Sequence, residues 1–374
     1  IKDELEDQIR SKNKKRIFEK EEELRMSPST VKEVVKILQP INLYRIDEDL
    51  NGRMFEAFLN ATVRGKELGQ FFTPRTVVKF MTKMAEISVD KNYEKTDCIL
   101  DACCGSGGFL IEVMADMYNK INKMNLTDTE KEKLKNKIIR ENIWGIDAGK
   151  STYMMISRIA RMNMFLHGDG SNRIYYLPDS LDKEINTEEI EDRELLEEAE
   201  ELKKKLNDGL KFDVVLTNPP FSMKYNINNF DEKKILQEYE IAKVIGTNKL
   251  KAVKSNVLFI ERYYDLLKPQ GKLITVIDEA VLNTDSDKPF REFIKEHFEI
   301  KAVISLPKNT FINAETSVKT SILYLIKKEK PNYEQPTTFM AICENVGHKD
   351  NGKPDLENNE LPNILEKFKK FEET

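Results

Sequence analysis

The sequence predicts an α/β protein built on a mostly parallel, doubly wound sheet. Short apolar runs alternate with helical patterns from about residue 66 onward, which is typical of a parallel sheet that helices cover on both faces. One of the first runs also ends in a glycine-rich turn, Gly105 to Gly108, that opens a helix. Because ligands of such sheets bind at the carboxyl ends of the strands, we expect the functional site at that edge.

Apolar runs are interpreted as strands, and periodic segments between them as helices. The strands are expected at residues 98–101, 143–147, 212–217, 272–277, 301–305 and 321–326. The helices are expected near residues 107–120, 128–141, 150–166, 255–268 and 290–298. The segment LKPQGKL at residues 267–273 predicts the end of a helix, a turn and the start of a strand.

Residues 1–65 are predicted to form a helical N-terminal region. Ser29 and Thr30 precede a periodic apolar pattern and mark a helix start, and Pro40 interrupts that pattern. Residues 47–63 then give a second amphipathic helix. We expect this region to pack against the core or against a partner.

The rest of the chain is predicted to form one large domain, residues 66–345, followed by a polar loop and a short helix at 346–374. Within the domain, residues 184–211 form a strongly charged helical insertion. Acid–base pairs four residues apart favour a solvated surface helix there. The chain begins at Ile1 with neither an initiator methionine nor a signal peptide, so we expect a fragment of a longer protein.

The composition excludes several classes of protein. No run reaches the roughly 18 apolar residues of a membrane span. The four cysteines form no CxxC pair and the chain has three histidines, so no metal site is expected. Few cysteines without a secretory signal favour a cytoplasmic protein. The net charge is −5 despite 60 basic residues, so nucleic-acid binding would require a local basic face.

The first chemical motif is DACCGSGGFL at residues 101–110, directly after a predicted strand. Glycine allows a positive φ and close approach of the backbone to a ligand, and the turn lies at the positive end of the next helix. The motif predicts a nucleotide-like cofactor, with a plain tight turn as the alternative. Leu110 replaces the last glycine of GxGxxG, which disfavours nicotinamide. The candidate residues are Asp101, Cys103, Gly105, Ser106, Gly107 and Gly108.

Asp147 ends the next predicted strand. A carboxylate at this position can accept hydrogen bonds from both ribose hydroxyls of a bound nucleoside. A simple helix cap is the alternative. Asp147 follows Asp101 at more than the usual spacing, and the helix at 128–141 explains the extra length.

The third motif, Asn218-Pro219-Pro220-Phe221, follows the predicted strand at 212–217. The prolines fix φ and hold the loop rigid. The Asn218 side-chain carbonyl and the Pro219 main-chain carbonyl then offer two acceptors for the hydrogens of one amino group, which frees its lone pair for attack on a methyl sulfonium. Phe221 can stack on a base, which must be flipped out of a duplex to arrive there. An ordinary strand-ending turn is the alternative.

These motifs closely resemble those of the amino-methyltransferases that act on DNA adenine, and within them the modification subunit of type I restriction-modification systems. The resemblance covers about residues 45–345 and includes the order of the motifs. It is carried by the glycine turn, the NPPF loop and the upstream segment GQFFTPR at residues 69–75. The candidate cofactor-binding residues in that segment are Gln70, Phe71, Phe72, Thr73, Pro74 and Arg75.

The resemblance implies a Rossmann-like class I methyltransferase that uses S-adenosylmethionine. The upstream segment would close over the methionine end of the cofactor, with Phe72, Thr73 and Pro74 nearest. On local grounds Thr73 is also expected to cap a helix that has Pro74 at its first position. An acidic residue after the third strand would contact the cofactor adenine, and Asp179 is preferred to Asp169 for this role.

Two further segments bear on the resemblance. Ala102 and Cys103 stand where Pro and Ala are commoner in the glycine loop. Both changes are small and leave the glycines intact, so cofactor binding is expected to survive. The segment around Thr316 and Lys319 resembles the last core strand of the family, where polar residues face the target base. Its alternative is an edge strand without contact to DNA.

The implied activity is direct in-line transfer of a methyl group to N6 of a flipped-out adenine in DNA, without a metal. The implied partners are double-stranded DNA and the specificity and restriction subunits, or missing flanking domains, because few residues remain after 345 for target recognition. The N-terminal helices are candidates for docking that partner or clamping DNA. Two alternatives stay open: amino methylation of an RNA base or a protein glutamine, and a non-catalytic cofactor-binding scaffold.

Overall fold

The structure is a computed structural model. It describes residues 26–40, 73–148, 156–167, 173–221, 223–245, 251–311, 318–330, 334–349 and 351–373. None of the helices in these ranges is both long enough and apolar enough to span a bilayer.

The described strands form one large sheet and one small ribbon. The large sheet contains β1 (Ile99–Asp101), β2 (Ile143–Ala148), β3 (Arg173–Leu177), β4 (Phe212–Thr217), β7 (Leu267–Asp278), β8 (Phe298–Ser305), β9 (Thr320–Lys327) and β10 (Phe339–Ile342). Its order is β10-β8-β9-β7-β4-β1-β2-β3. Strands β5 (Lys224–Tyr225) and β6 (Val253–Lys254) pair antiparallel in the ribbon. In the large sheet, β9 alone among the described strands runs against its neighbours.

The described helices are numbered in chain order. They are α1 (Pro28–Leu38), α2 (Arg75–Ala85), α3 (Gly108–Asn122), α4 (Asp128–Glu141), α5 (Ile156–Leu166), α6 (Arg193–Asn207), α7 (Phe230–Glu238), α8 (Glu240–Ile245), α9 (Ser255–Leu266), α10 (Ala280–Asn283), α11 (Lys288–His297) and α12 (Leu361–Glu372). Short 3-10 turns occur at Asp285–Asp287 and Leu356–Asn358.

Helices cover both faces of the large sheet, which confirms the predicted doubly wound architecture. One face packs against the apolar sides of α2, α3, α5 and α12, and the other against those of α6, α9 and α11. The strand order changes direction between β1 and β4, since the chain moves outward to β2 and β3 on one side and to β7 on the other. This change opens a crevice at the carboxyl ends of β1 and β4, where such folds bind their ligands.

The predicted strands are all present, and two more strands of the large sheet were not predicted. Strand β3 reads RIYYL and has two partly exposed residues, and β10 reads FMAI with alternate residues exposed. Neither gives the continuous apolar run that marked the other strands. The turn predicted within residues 267–273 is present as an irregularity within β7, where Gln270 has a φ of 61° and the register with β4 shifts. The preceding helix ends at Leu266, two residues before the predicted end.

The alternative interpretation of the segment around Lys319 as an edge strand is wrong. Strand β9, which begins at Thr320, pairs with β7 on one side and with β8 on the other. It therefore lies inside the sheet. Its residues are buried almost throughout, as pairing on both edges and packing on both faces require.

The charged insertion at 184–211 is helical only in part. Helix α6 covers residues 193–207, and Ala199 and Leu202 on its inner side are buried against the β3 side of the sheet. Arg161 on α5 forms a buried ion pair with Glu198. The insertion thus covers the outer strand of the sheet instead of projecting into solvent.

The predicted domain boundaries near the two ends of the chain stay predictions. The Ser27 side chain caps α1 by accepting from the Thr30 amide at 3.2 Å, so this helix starts slightly before the predicted site. The second predicted helix, at 47–63, lies outside the described residues. Helix α12, within 346–374, packs on α2 and β10 and contributes Phe368 to the core.

Candidate active site

The glycine turn connects the end of β1 to the start of α3, as the sequence predicts. Gly105 and Gly107 have φ values of +53° and +87°, the left-handed region that favours glycine. A Cβ on Gly105 would meet no atom within 4 Å, whereas one on Gly107 would contact Ala160 at 3.5 Å. The turn therefore leaves open space on the Gly105 side and packs tightly against α5 on the Gly107 side.

A cavity that opens to solvent lies in front of this turn. It brings together residues from the upstream segment, the glycine turn and the NPPF loop, which are far apart in the chain. The predicted site residues that line it are Thr73, Arg75, Asp101, Cys103, Gly105, Ser106, Gly108 and Asn218. They converge at the carboxyl ends of β1 and β4, the edge at which the sequence predicts the site.

Arg75 begins α2 and lies against the end of the glycine turn. Its Nη1 donates to the Gly108 carbonyl at 3.3 Å, and a Cβ on Gly108 would come within 3.1 Å of the same nitrogen. Burial lowers the pKa of Arg75 to about 10, partly opposed by the charge of Glu112. The guanidinium thus remains cationic near neutral pH and contributes positive charge to the cavity wall.

Asp101 and Cys103 form the floor of the glycine turn. The Asp101 carboxylate accepts from the Cys103 amide at 3.1 Å, and burial raises its pKa to about 7. The Cys103 sulfur lies 3.7 Å from the Tyr263 hydroxyl, and burial holds the pKa of this thiol well above its usual range. Cys103 is therefore a protonated, unreactive part of the wall.

Asp147 lies beneath the glycine turn, near the end of β2. Its carboxylate accepts a hydrogen bond from the Gly105 amide, and burial raises its pKa to about 7. The side chain is buried and is not part of the cavity wall described above. The structure thus gives Asp147 a direct role in shaping the turn, while its contact with a ribose stays a prediction.

The NPPF loop begins directly after β4 and places Asn218 at the cavity. The Asn218 Nδ2 donates to Thr73 Oγ1 at 2.9 Å, and its Oδ1 is buried and has no hydrogen-bond partner within the described part of the chain. The Pro220 carbonyl accepts from the Ser255 hydroxyl at 2.8 Å. The loop is therefore fixed on both sides, and a carbonyl oxygen of Asn218 is left available to accept.

The expected helix cap at Thr73 is wrong. Helix α2 begins at Arg75, and Pro74 occupies the cap position with an extended ψ of 138° and no side-chain capping bond. The Thr73 hydroxyl binds the Asn218 amide instead. Asn218 is far from Thr73 in the chain, so the local sequence pattern around Thr73 could not reveal this contact.

Phe221 is buried, and its ring packs edge to face against Phe311 with a centroid distance of 5.7 Å. A planar base would need access to one face of the Phe221 ring to stack on it. The stacking role of Phe221 stays a prediction. Phe311 belongs to no motif and was not predicted as part of the site.

Asp179 follows β3, as the sequence suggests for a residue that contacts the cofactor adenine. Its carboxylate accepts from the Leu181 amide at 2.8 Å and from the Tyr225 hydroxyl at 2.6 Å. Tyr225 and Ser255 are thus supporting residues that the sequence did not reveal, because neither belongs to a motif. The contact of Asp179 with adenine stays a prediction.

Several predicted residues cannot be placed or have another contact. Gln70, Phe71, Phe72, Asp169 and Thr316 lie outside the described residues. Lys319 donates its ammonium to the Leu306 carbonyl, a contact within the protein that holds the start of β9.

The cavity fits S-adenosylmethionine. The cofactor needs close backbone approach at the glycine turn, and Gly105 faces open space there. It carries a carboxylate, and the cationic Arg75 lies in the wall beside Ser106 and Gly108. Asn218, with its unpaired oxygen, lies at the same cavity, where an acceptor amine would have to meet the methyl group. Sheet order, turn and cavity together define a class I S-adenosylmethionine-dependent methyltransferase.

Comparison with known proteins identifies the family. The model of the N-6 DNA methylase family matches residues 46–374, and the chain belongs to this family. The methylase subunit of the type I restriction enzyme MjaIX from Methanocaldococcus jannaschii is 25% identical over 87% of this chain and 50% of its own length. The methylase subunit of the type I restriction enzyme MpnII from Mycoplasma pneumoniae is 26% identical over 82% and 50%.

Solved structures share the fold. A structure that reports the assembly and conformational transition of a type I restriction-modification system has a TM-score of 0.60 at 19% identity, covering 94% of this chain and 61% of that one. A type I methyltransferase subunit from Streptococcus thermophilus has a TM-score of 0.52 at 23% identity, covering 80% and 53%. This chain spans about half the length of the curated relatives it matches.

Proposed function

We propose that this chain transfers the methyl group of S-adenosylmethionine to N6 of an adenine that is flipped out of DNA, as the modification component of a restriction-modification system. The observation that carries this proposal is the Asn218 side chain. Its amide donates to Thr73, its carbonyl oxygen is unpaired, and it lies at the same cavity as the glycine turn. Membership of the N-6 DNA methylase family supports the choice of substrate atom.

In the bond between Asn218 and Thr73, the amide nitrogen of Asn218 faces the Thr73 hydroxyl. With Nδ2 donating to Thr73 Oγ1, the carbonyl Oδ1 is the acceptor that remains. A group that gives hydrogens to this oxygen must be a donor, which suits the exocyclic amine of adenine and disfavours a ring nitrogen with a lone pair. The amide orientation thus selects an amino group.

Asn218 and Pro219 would then bind the two hydrogens of the amine. Pro219 has no N–H of its own, and the prolines keep its carbonyl in a fixed direction. Hydrogen bonds to both hydrogens draw the nitrogen toward tetrahedral geometry and localise its lone pair. S-adenosylmethionine, when bound, would supply a methyl group on a sulfonium centre; in-line attack by the nitrogen would form the C–N bond as the C–S bond breaks, with the neutral thioether as the leaving group.

The proton balance needs no catalytic base in this loop. The nitrogen gains a positive charge when the new C–N bond forms, and it returns to neutrality by losing one of its two hydrogens. That hydrogen is already bonded to Asn218 or Pro219, whose carbonyl oxygens stabilise the charge that develops. Neither carbonyl retains the proton, so it passes on to solvent.

The assembly is also part of the proposal. The two relatives named above are methylase subunits of multisubunit restriction enzymes, and this chain spans about half of their length. We propose that target recognition comes from a specificity subunit or a flanking domain, and that a restriction subunit joins the same complex on double-stranded DNA. A cytoplasmic location follows from this role and stays a prediction.

The test is a map of N6-methyladenine in the source cell, with the native gene compared with an Asn218→Ala version. Loss of methylation at one defined sequence is expected, because the variant lacks the acceptor that binds the amine. Asn207→Ala, a change at an exposed asparagine at the end of α6, is the matched control and should leave the map intact. An unchanged map with Asn218→Ala expressed would overturn the proposal.

A further inference from the structure

The segment after the NPPF loop forms a fixed surface with an unusual composition. Met223, Ile227 and Phe230 are exposed apolar side chains, and Phe230 is the most exposed at 81%. They lie within eight residues of chain, and the β5–β6 ribbon is part of the same surface. We call residues 223–230 the 223–230 turn.

This turn is held against the active site at two points. The Met223 carbonyl accepts from the Ser255 amide at 2.9 Å, and the hydroxyl of the same serine donates to the Pro220 carbonyl. On the other side, the Tyr225 hydroxyl donates to Asp179 at the end of β3. The turn therefore lies at the carboxyl edge of the sheet, next to the loop that would hold the target amine.

The backbone of the turn is ordered by its own hydrogen bonds. The Asn226 amide donates to Glu232 at 2.7 Å, the Asn228 amide donates to Asn226 Oδ1, and Asn229 caps α7. Phe230 is the first residue of that helix. The ordered backbone therefore holds the Phe230 ring in solvent. Exposing this apolar ring to water costs free energy, which a bound ligand would recover by covering it.

Four lysines stand around the turn; of the nearby carboxylates, Glu232 binds the Asn226 amide, Asp278 binds Lys254, and Asp231 is exposed. Lys224 and Lys254 stand directly opposite each other in the β5–β6 ribbon, where like charges repel. Asp278 pairs with Lys254 at 2.8 Å, whereas Lys224 makes no ion pair with the residues that the structure describes. Lys233 and Lys234 are exposed on the helix that follows.

We propose that the 223–230 turn is the DNA contact that keeps the target adenine out of the duplex, with Phe230 packed against the base stack at the gap and Lys224 bound to a backbone phosphate. This inference rests on the proposed function. An extruded base leaves a gap and costs stacking energy, and an apolar side chain that enters the stack lowers that cost. One exposed aromatic ring among lysines suits nucleic acid better than a protein partner, since protein interfaces exclude lysine from their centres.

The experiment uses the full chain with the subunits that purify with it, and duplexes that carry the methylation sequence mapped in the source cell. In one duplex the target adenine is paired with thymine, and in the other it faces an abasic site. Phe230→Ala should lower kcat/KM about tenfold on the paired duplex, the effect of losing one stacked contact. On the second duplex it should match the wild type, because extrusion there costs little.

Two controls separate this role from a structural one. Met340→Ala removes a similarly exposed apolar side chain on β10, at the opposite end of the sheet, and should change neither rate. Lys224→Gln should reduce the slope of log Kd against log salt by about 0.9, whereas Lys204→Gln on α6 should not. Affinity for S-adenosylmethionine should be the same in all four variants.

The outcomes are distinct. A wild-type protein that methylates neither duplex overturns the proposed function and this inference with it. A wild-type protein that methylates both, while Phe230→Ala does so equally well or loses the same factor on both duplexes, overturns this inference alone. An unchanged salt slope for Lys224→Gln removes the phosphate contact.

Discussion

The two ends of the parallel strands in the large sheet differ in whether all their buried polar side chains are paired. At the amino edge, where the parallel strands begin, such groups are paired. The Asp213 carboxylate accepts from the Cys98 amide and from the Lys268 ammonium, each at 2.8 Å. Asn142 accepts from the Tyr93 hydroxyl and donates to the Asp97 carbonyl. These bonds tie β1, β2, β4 and β7 together at their starts.

At the carboxyl edge, where the same strands end, buried polar atoms lack partners among the described residues. The Asn218 Oδ1 and the Thr320 Oγ1 are examples, and Asn256, at the start of α9, has neither amide atom bonded. Burial also raises the pKa of Asp101 and Asp147, to about 7 in each case. Each unpaired buried group costs about 1–3 kcal/mol.

The difference shows where stability and function are separated in this fold. Polar groups that are hydrogen-bonded within the protein stabilise it and have no hydrogen-bonding capacity left for a ligand. Groups that must bind a cofactor or a substrate amine have to stay unsaturated until the ligand arrives, and they lower the stability of the free protein. Removing an unpaired group at the carboxyl edge should therefore raise stability, and removing a paired group at the amino edge should lower it. Only substitutions at the carboxyl edge should affect binding.

The largest expected effect on binding is that of Asp147→Ala. It removes the acceptor of the Gly105 amide, on which the shape of the glycine turn depends, together with the predicted contact to ribose. We expect affinity for S-adenosylmethionine to fall about 100-fold, the effect of two hydrogen bonds to a charged group. Isothermal titration calorimetry measures it, with Asp208→Ala at the exposed end of α6 as control. Unchanged affinity would remove Asp147 from the site.

The next effect is on stability alone. Asp213→Ala at the amino edge leaves the Cys98 amide and the Lys268 ammonium without their acceptor. We expect the free energy of unfolding to fall by about 2 kcal/mol. Chemical denaturation measures this change, and the affinity for S-adenosylmethionine should stay at the wild-type value. A loss of affinity would show that the edges are coupled.

Much of the fold could be predicted from the sequence because its central strands are buried on both faces. Strand β4 was predicted at its observed bounds, since Phe212–Thr217 is apolar almost throughout. Strand β10 was missed because it has four residues and only one covered face, with Met340 and Ile342 exposed. An outer strand of this kind gives no apolar run, and its position depends on pairing with β8.

The same distinction decides which parts of the site could be predicted from the sequence. The glycine turn and the NPPF loop are local conformations, so the residues that form them carry the signal. The contacts between motifs are not local: Asn218 meets Thr73, and Asp147 meets Gly105, only because the strand order brings them together. For the same reason the cap assigned to Thr73 was wrong. Tyr225 and Ser255 support the site through tertiary contacts and carry no sequence signal.

A smaller effect concerns pH. Burial holds the pKa of Asp101 near 7 in the folded protein, far above its usual value of 3.8. The folded chain therefore keeps a proton that the unfolded chain has lost, and the stability that this proton gives disappears as pH rises through about 7. The free protein should lose about 1.4 kcal/mol between pH 6 and pH 8 from this group.

Asp101→Asn should abolish that part of the pH dependence, as measured by chemical denaturation at several pH values. Asp147, with a pKa also near 7, titrates in the same interval and should keep its own share of the pH dependence in the variant. A pH profile that is identical in the variant and in the wild type would show that another group, such as Asp147, carries the effect.

The smallest effect compares two buried threonines with different partners. Thr320, at the carboxyl edge, has a hydroxyl without a partner in the described structure, whereas the Thr310 hydroxyl donates to the Pro307 carbonyl at 2.7 Å. Valine has nearly the same shape and no hydroxyl. Thr320→Val should therefore raise the free energy of unfolding by about 1 kcal/mol, and Thr310→Val should lower it by about the same amount. If both variants are destabilised equally, the Thr320 hydroxyl is satisfied in solution and the contrast between the edges is weaker than the contacts indicate.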